Sequence, residues 1–153
     1  QKELKDLVIK ADLPVAATVM GLAAFDAADP HYVGMLGMHG NYAANLSTNK
    51  ADVILAVGMR FDDRVTGKVA TYAKQAKIIH IEIDPSETNK IIAPTVTINA
   101  DAKDALAELI KYVNPTKRPE WFADFADKYR VEYEKVITHD IAQILRKSRW
   151  QRW

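Results

Sequence analysis

The chain has 153 residues, 48% of them hydrophobic and 27% charged, with a formal charge of +1; it can bury a real core and has no global basic field for nucleic acid. It contains no cysteine, which excludes disulfides, thiolate zinc sites and cysteine nucleophiles and favours an intracellular origin. Four scattered histidines, His31, His39, His80 and His139, show no ligand-like spacing, so no protein-bound metal is expected.

Residues 2–11 place Leu4, Leu7 and Val8 at helical spacing against a polar face, ahead of Pro14 and the β-prone segment PVAATVM. This start reads as a helix rather than a signal peptide, and no apolar stretch approaches the roughly 20 residues that cross a bilayer. A cytoplasmic protein without a membrane partner is the expectation. The segment GMLGMHG, residues 34–40, repeats glycine at Gly34, Gly37 and Gly40; it is either a tight turn or a place where backbone approaches a flat ligand. Residues 41–50 read as a short helix leading into the apolar run Val53, Ile54, Leu55, Ala56, Val57, a strand of the kind buried on both faces. KIIHIEID, residues 77–84, is a second such strand, and Pro85, Ser86 and Glu87 open a short helix after it. TVTI, residues 95–98, is a shorter strand. Asp101 caps a helix whose Ala105, Leu106, Leu109, Ile110 and Val113 form one apolar stripe, stopping at Asn114 and Pro115.

Strands alternating with helices imply an α/β fold, a Rossmann-like and mostly parallel sheet flanked by helices with right-handed crossovers. From Pro119 the composition changes, with Trp121, Phe122, Phe125, Tyr129 and Tyr133 at helical spacing. The division expected is residues 1–115 as the sheet domain and 116–153 as a C-terminal helical extension or linker. Its aromatic residues either pack back on the domain or a neighbour, or form a cofactor-stacking box, the former being the commoner use. The final RKSRWQRW carries four positive charges and two tryptophans; a nucleic-acid role for it would show as salt-sensitive binding, and no nucleic-acid partner is expected.

Ligands of open parallel sheets sit beyond the carboxyl ends of the strands. There, AVGMRFDDRVTG (residues 56–67) ends a strand on Gly58 and follows it with Arg60, Asp62, Asp63 and Arg64. These charges are either an ion-pair network satisfied within itself or a clamp for a phosphate or carboxylate. Glu82 and Asp84 end the next strand, and Glu82 lies 24 residues after Gly58, near the roughly 20-residue spacing at which a carboxylate meets ribose hydroxyls. No GxGxxG follows any strand, so the ordinary nicotinamide fingerprint is absent. No nucleophile lies beside a base and no carboxylate pair identifies a general acid, so no catalytic residue is assigned.

Taken together, PVAATVM, LGMHG, GMRFDDRVTG and HIEIDP, in this order, closely resemble the central domain of the large catalytic subunit of acetolactate synthase (acetohydroxyacid synthase), over roughly residues 1–115. The resemblance implies a Rossmann-like domain that binds FAD in a mainly structural role. The parent enzyme joins pyruvate to a second 2-keto acid with thiamine diphosphate and magnesium, in branched-chain amino-acid biosynthesis. By the same resemblance Thr18, Val19 and Met20 lie along the flavin, and Leu36, Gly37, Met38 and His39 wrap it. Gly58, Met59, Arg60, Asp62, Arg64 and Val65 contact it, Glu82 and Ile83 hold its adenosine end, and Asp101 with Ala102 follow the next strand. Asp63 and Arg64 look like the pair bordering the substrate channel, Asp63 orienting Arg64, with Met38 lining the same region.

The family's central domain opens with an earlier strand and a glycine-rich turn that this sequence lacks. Its amino-terminal domain carries the glutamate that activates thiamine, and its carboxyl-terminal domain carries a GDG motif. The expectation is therefore a fragment that supplies part of the FAD site and the channel wall and is inactive alone. Its partners would be the parent's remaining domains and, through an open sheet, a second copy. Two alternatives stand beside this: a stand-alone nucleotide-binding or protein-interaction module, and a thiamine enzyme that uses FAD for redox, such as a pyruvate oxidase, which LGMHG and RFDDRVTG disfavour.

Overall fold

The apolar stripe of residues 2–11 forms helix α1 (Lys2–Ala11), which buries Leu7 and Val8 and ends at Asp12, whose left-handed backbone (φ 52°, ψ 52°) returns its N–H to the Val8 carbonyl. In the computed structural model, which describes residues 1–138, strand β1 (Val15–Ala17) follows. It is shorter than PVAATVM, because Val19–Gly21 turn into a 3-10 helix. Strand β2 (Tyr32–Met35) and helix α2 (Tyr42–Thr48) come next, then strand β3 (Val53–Val57) and the one-turn helix α3 (Asp63–Thr66). Strands β4 (Lys77–Glu82) and β5 (Val96–Asn99) precede helix α4 (Ala102–Leu109), which Asp101 caps through the Lys103 N–H. Helix α5 (Pro119–Glu132) continues as a π-helical turn, Tyr133–Ile137. His139 and the RKSRWQRW tail lie outside the described residues.

Every strand pairing among the described residues is parallel. The expected α/β architecture is present, divided into a β1–β2 pair and a β3–β4–β5 sheet. In the larger sheet Val57 lies opposite Ile81, and Ile81 opposite Ile98. Strands β1 and β3 each pair on one side only among the described residues. A cavity of about 610 Å³ is lined by both of them and by Leu7, Val8, Phe25 and Tyr72.

Strand β4 is buried on both faces, as its apolar run requires. Ile78 packs with Ala56, Phe61, Tyr72 and Ala73. Ile81 packs on the other side with Leu7 of α1 and with Ala105 and Leu106 of α4, bordered by Leu109, Ile110 and Val113. Of the aromatic residues at helical spacing, Phe125 is buried and Phe122 meets His31, while Tyr129 and Tyr133 are exposed. Trp121 stacks on Phe125 at 5.7 Å between ring centroids, and Phe122 sets its edge against His31 at 5.5 Å.

The start of α5 is tied down by Asp12, and His31, which meets α5 through Phe122, is held by a second carboxylate, Asp29. Asp12 accepts the Arg118 N–H at 2.5 Å and lies 3.3 Å from His31 Nε2 and 3.6 Å from Lys117 Nζ. Asp29 accepts the His31 N–H at 3.0 Å and lies 2.8 Å from His31 Nδ1 and 3.4 Å from Lys5 Nζ. The Arg118 N–H, with help from His31 and Lys117, holds Asp12 below the usual carboxylate range, and the His31 N–H leads the same effect at Asp29. A carboxyl with a lower pKa folded than unfolded stabilises the fold above the ordinary carboxylate range. That contribution is lost as pH falls through the folded value. The melting temperature is therefore expected to drop as pH goes below about 4, with the Arg118 amide exchanging faster in the same window. Asp12→Asn should flatten part of this dependence in a pH series of thermal melts.

Candidate functional site

Parallel strands deliver their carboxyl ends to one side of a sheet, where the loops that follow can converge on a ligand. Thr18, Val19 and Met20 follow β1, Leu36 to His39 follow β2, and Gly58 to Val65 follow β3. Glu82 and Ile83 end β4, and Asp101 with Ala102 follow β5. Among the described residues, five large apolar side chains are at least 65% exposed: Val19, Met20, Met38, Ile83 and Tyr112. The first four stand at strand ends.

The loops after β2 and β3 are joined by backbone. The Met38 N–H donates to the Arg64 carbonyl at 2.7 Å. Asn45 of α2 accepts the Gly37 N–H through Oδ1 and donates to the Gly37 carbonyl through Nδ2, both at 2.9 Å. Gly37 has φ +105°, and a Cβ there would lie 2.6 Å from the Arg64 carbonyl oxygen. Gly40 is packed as closely, its Cβ position lying 2.4 Å from the Met35 carbonyl oxygen, while Gly34 lies within β2 against the Asn41 side chain. Open backbone is found at Gly58, with φ +56° and no atom within 4 Å of its Cβ position.

In the RFDDR turn, Asp62 caps α3, its Oδ1 accepting the N–H groups of Arg64 (3.1 Å) and Val65 (3.2 Å). Its Oδ2 lies 3.7 Å from Arg60 Nη2. The expected orienting pair Asp63–Arg64 does not form among the described residues. Consecutive helix positions do not face each other, and the capping carboxylate belongs to Asp62. The internally satisfied network thus reduces to one long, exposed ion pair, which is worth about 0–1 kcal/mol.

At the end of β4, Glu82 is nearly buried; its Oε1 accepts the N–H groups of Ile83 (2.9 Å) and Asp84 (3.2 Å). Asp84 instead caps the turn Pro85–Glu87, and its hydrogen bonds from Ser86 hold it below the usual carboxylate range. His80 is one of the scattered histidines to which the sequence pattern gives no role. It is buried with its edge against Phe61, and its Nε2 lies 3.0 Å from the Met59 carbonyl oxygen. A carbonyl only accepts, so Nε2 carries the proton, and the buried Nδ1 has no protein partner among the described residues. His80 therefore fixes Met59, the residue that leads into the RFDDR turn. The signal available in the sequence was its place on one face of a strand buried on both sides.

The family described as thiamine pyrophosphate enzyme, central domain, matches residues 1–109. The mitochondrial acetolactate synthase catalytic subunit of Saccharomyces cerevisiae is 41% identical over 140 residues, covering 85% of this chain and 20% of that protein. Acetolactate synthase 1, chloroplastic, of Zea mays is 50% identical over 105 residues, 69% of this chain and 16% of the maize protein. The large subunit of acetolactate synthase isozyme 2 of Escherichia coli is 39% identical over 131 residues, 86% of this chain and 24% of the bacterial protein. The chain spans between a sixth and a quarter of the length of these curated relatives.

Proposed function

The chain belongs to the thiamine pyrophosphate enzyme family as a central domain, and from that premise we propose that it holds flavin and forms channel wall in an acetolactate synthase catalytic chain. The observation that supports this reading is that four of the five most exposed apolar side chains among the described residues follow the carboxyl ends of parallel strands, as does the open backbone of Gly58. Val19, Met20 and Met38 suit a flat apolar ring. Arg60 and Arg64, both exposed, suit a diphosphate. Glu82 suits ribose hydroxyls, with Ile83 beside the adenine. Thr18, Leu36, Gly37, His39, Met59, Asp62, Val65, Asp101 and Ala102 complete the cradle in this reading. When bound, FAD supplies a rigid platform.

Among the described residues no group of three histidine or carboxylate side chains is placed to hold a metal. By the family resemblance, thiamine diphosphate and magnesium are assigned in this reading to other parts of the parent enzyme. Catalysis, joining pyruvate to a second 2-keto acid, then needs residues beyond these 153, and the chain alone is expected to be inactive. Met38, Asp63 and Arg64 border the channel. The yeast and E. coli alignments cover 85% and 86% of the chain, more than the 109 residues matched by the family. This supports at least part of the proposed helical extension or linker, residues 116–153, as belonging to the same parent beside the sheet domain of residues 1–115. No described helix is long and apolar enough to cross a membrane. The cysteine-free composition supports a cytoplasmic location as part of this reading.

The test is a titration with FAD followed by flavin fluorescence and thermal melting. FAD at about 100 times its dissociation constant is expected to stabilise the chain by about 2.7 kcal/mol, and Arg60→Ala and Arg64→Ala are expected to abolish saturable binding. No binding at high micromolar FAD would remove the flavin reading and leave a scaffold role.

Self-association belongs to the same proposal. Among the described residues strands β1 and β3 each present an unpaired edge, and the cavity lined by both is largely apolar; unpaired edges of this kind recruit another strand. A concentration-dependent dimer is expected in sedimentation. Leu55 of β3 lines that cavity, and Leu55→Lys should shift the chain toward monomer. A wild-type monomer at all concentrations would contradict this.

A further inference from the structure

We propose that Asn45 is a positioning residue that locks the LGMHG loop against the RFDDR turn and thereby sets the flavin-facing surface; this rests on the flavin reading above. The carboxamide of Asn45 uses both its ends on a single residue, accepting from the Gly37 N–H and donating to the Gly37 carbonyl at 2.9 Å each. On the far side of Gly37 stands the Arg64 carbonyl, so close that no Cβ fits between them. The next residue, Met38, donates its N–H to that same carbonyl at 2.7 Å. The Gly37–Met38 backbone is therefore gripped from two sides, by a helix side chain and by the turn after β3.

The turn in its place is rigid, because Asp62 caps α3 through the N–H groups of Arg64 and Val65. Asn45, Gly37, Met38, Arg64 and Asp62 thus form one continuous run of hydrogen bonds linking α2 to α3. Its outcome is that Met38 and Arg64, both exposed, are presented from neighbouring backbone. The chemistry selects asparagine. An aspartate keeps the acceptor but turns the donor into an oxygen facing the Gly37 carbonyl, and an alanine keeps neither. Asn41, one turn earlier, has a separate task, accepting the Met35 N–H and donating to Glu132 of α5.

The experiment compares the full wild-type chain with Asn45→Ala and Asn45→Asp, by FAD titration and by amide exchange. Losing one or two neutral hydrogen bonds from a shared loop predicts FAD weakened about tenfold or more in both variants. The Met38 amide, whose own partner is untouched, is expected to exchange at least about tenfold faster, while the β4 amides keep wild-type protection. Unchanged Met38 exchange, or unchanged FAD affinity in a wild type that binds it, overturns the inference. So does loss of protection throughout β4, which would make Asn45 a general stability residue. A wild type that binds no FAD while Met38 exchange still responds overturns the flavin reading and leaves the lock standing.

Discussion

Gly37→Ala is expected to remove saturable FAD binding and to lower the stability of the chain by about 2–5 kcal/mol, the sum of backbone strain and a forced steric shift. Two independent costs meet at this position. The backbone sits at φ +105°, where a side chain is strained whatever the surroundings, and the added methyl would lie 2.6 Å from a backbone carbonyl that α3 holds in place. The contact cannot be relieved by a rotamer change. Either the LGMHG loop moves away from the RFDDR turn, breaking the Met38 N–H bond to Arg64, or the turn moves and loses its cap. Gly58→Ala separates the two costs. Its backbone is also left-handed, at φ +56°, but nothing lies within 4 Å of the new methyl. That variant should lose only about 1–2 kcal/mol, yet place a methyl where the flavin reading needs bare backbone. Thermal melts paired with FAD titrations of both variants check this. Equal affinity in Gly58→Ala and wild type would move the cofactor away from Gly58.

Much of the fold that positions the candidate site was legible in the sequence because chemistry and periodicity agreed. The runs VILAV and KIIHIE are both strands and both end where the charged and acidic residues begin, but only KIIHIE is buried on both faces; VILAV is an edge strand among the described residues, with Val53 half exposed and Ala56 alone buried. Asp101 and the stripe Ala105, Leu106, Leu109, Ile110 and Val113 predicted a capped helix running to Asn114; α4 is capped by that residue and packs by that stripe, but it ends at Leu109, with Ile110 and Val113 packing from the segment beyond it. Strand β2 was not legible as a strand. It is four residues long with Gly34 inside it at φ +112°, so a glycine-rich turn was the stronger local signal. Asp63 and Arg64, adjacent in sequence, are not joined by a side-chain bond among the described residues. Sequence adjacency brought the two charges together, whereas the helix start gave the structural task to Asp62. Contacts such as Asn45 to Gly37 and His80 to Met59 join residues 8 and 21 apart, and no local pattern in one sequence announces them.

Ile81→Ala is expected to cost about 2–5 kcal/mol through the cavity it leaves, out of a total of about 5–15 kcal/mol for an ordinary domain. Ile81 is fully buried, packed between Leu7 of α1 and Ala105 and Leu106 of α4. The strand that carries it is hydrogen-bonded on both edges, with Val57 opposite on one side and Ile98 on the other. Backbone held on two sides cannot sink into the space left by the lost methyl groups. The helices above it can close only by giving up their own contacts with the sheet. The upper half of the range is therefore expected, with a melting temperature lower by about 2–4 °C for each kcal/mol lost. Two residues further along, Ile83 is 69% exposed at the end of the same strand. Ile83→Ala should leave stability within about 0.5 kcal/mol of wild type while weakening FAD. In the flavin reading, Ile81 inside the strand holds the fold and Ile83, just past its end, faces the ligand. Thermal melts and FAD titrations of the pair measure that division, and a large loss of stability in Ile83→Ala would contradict it.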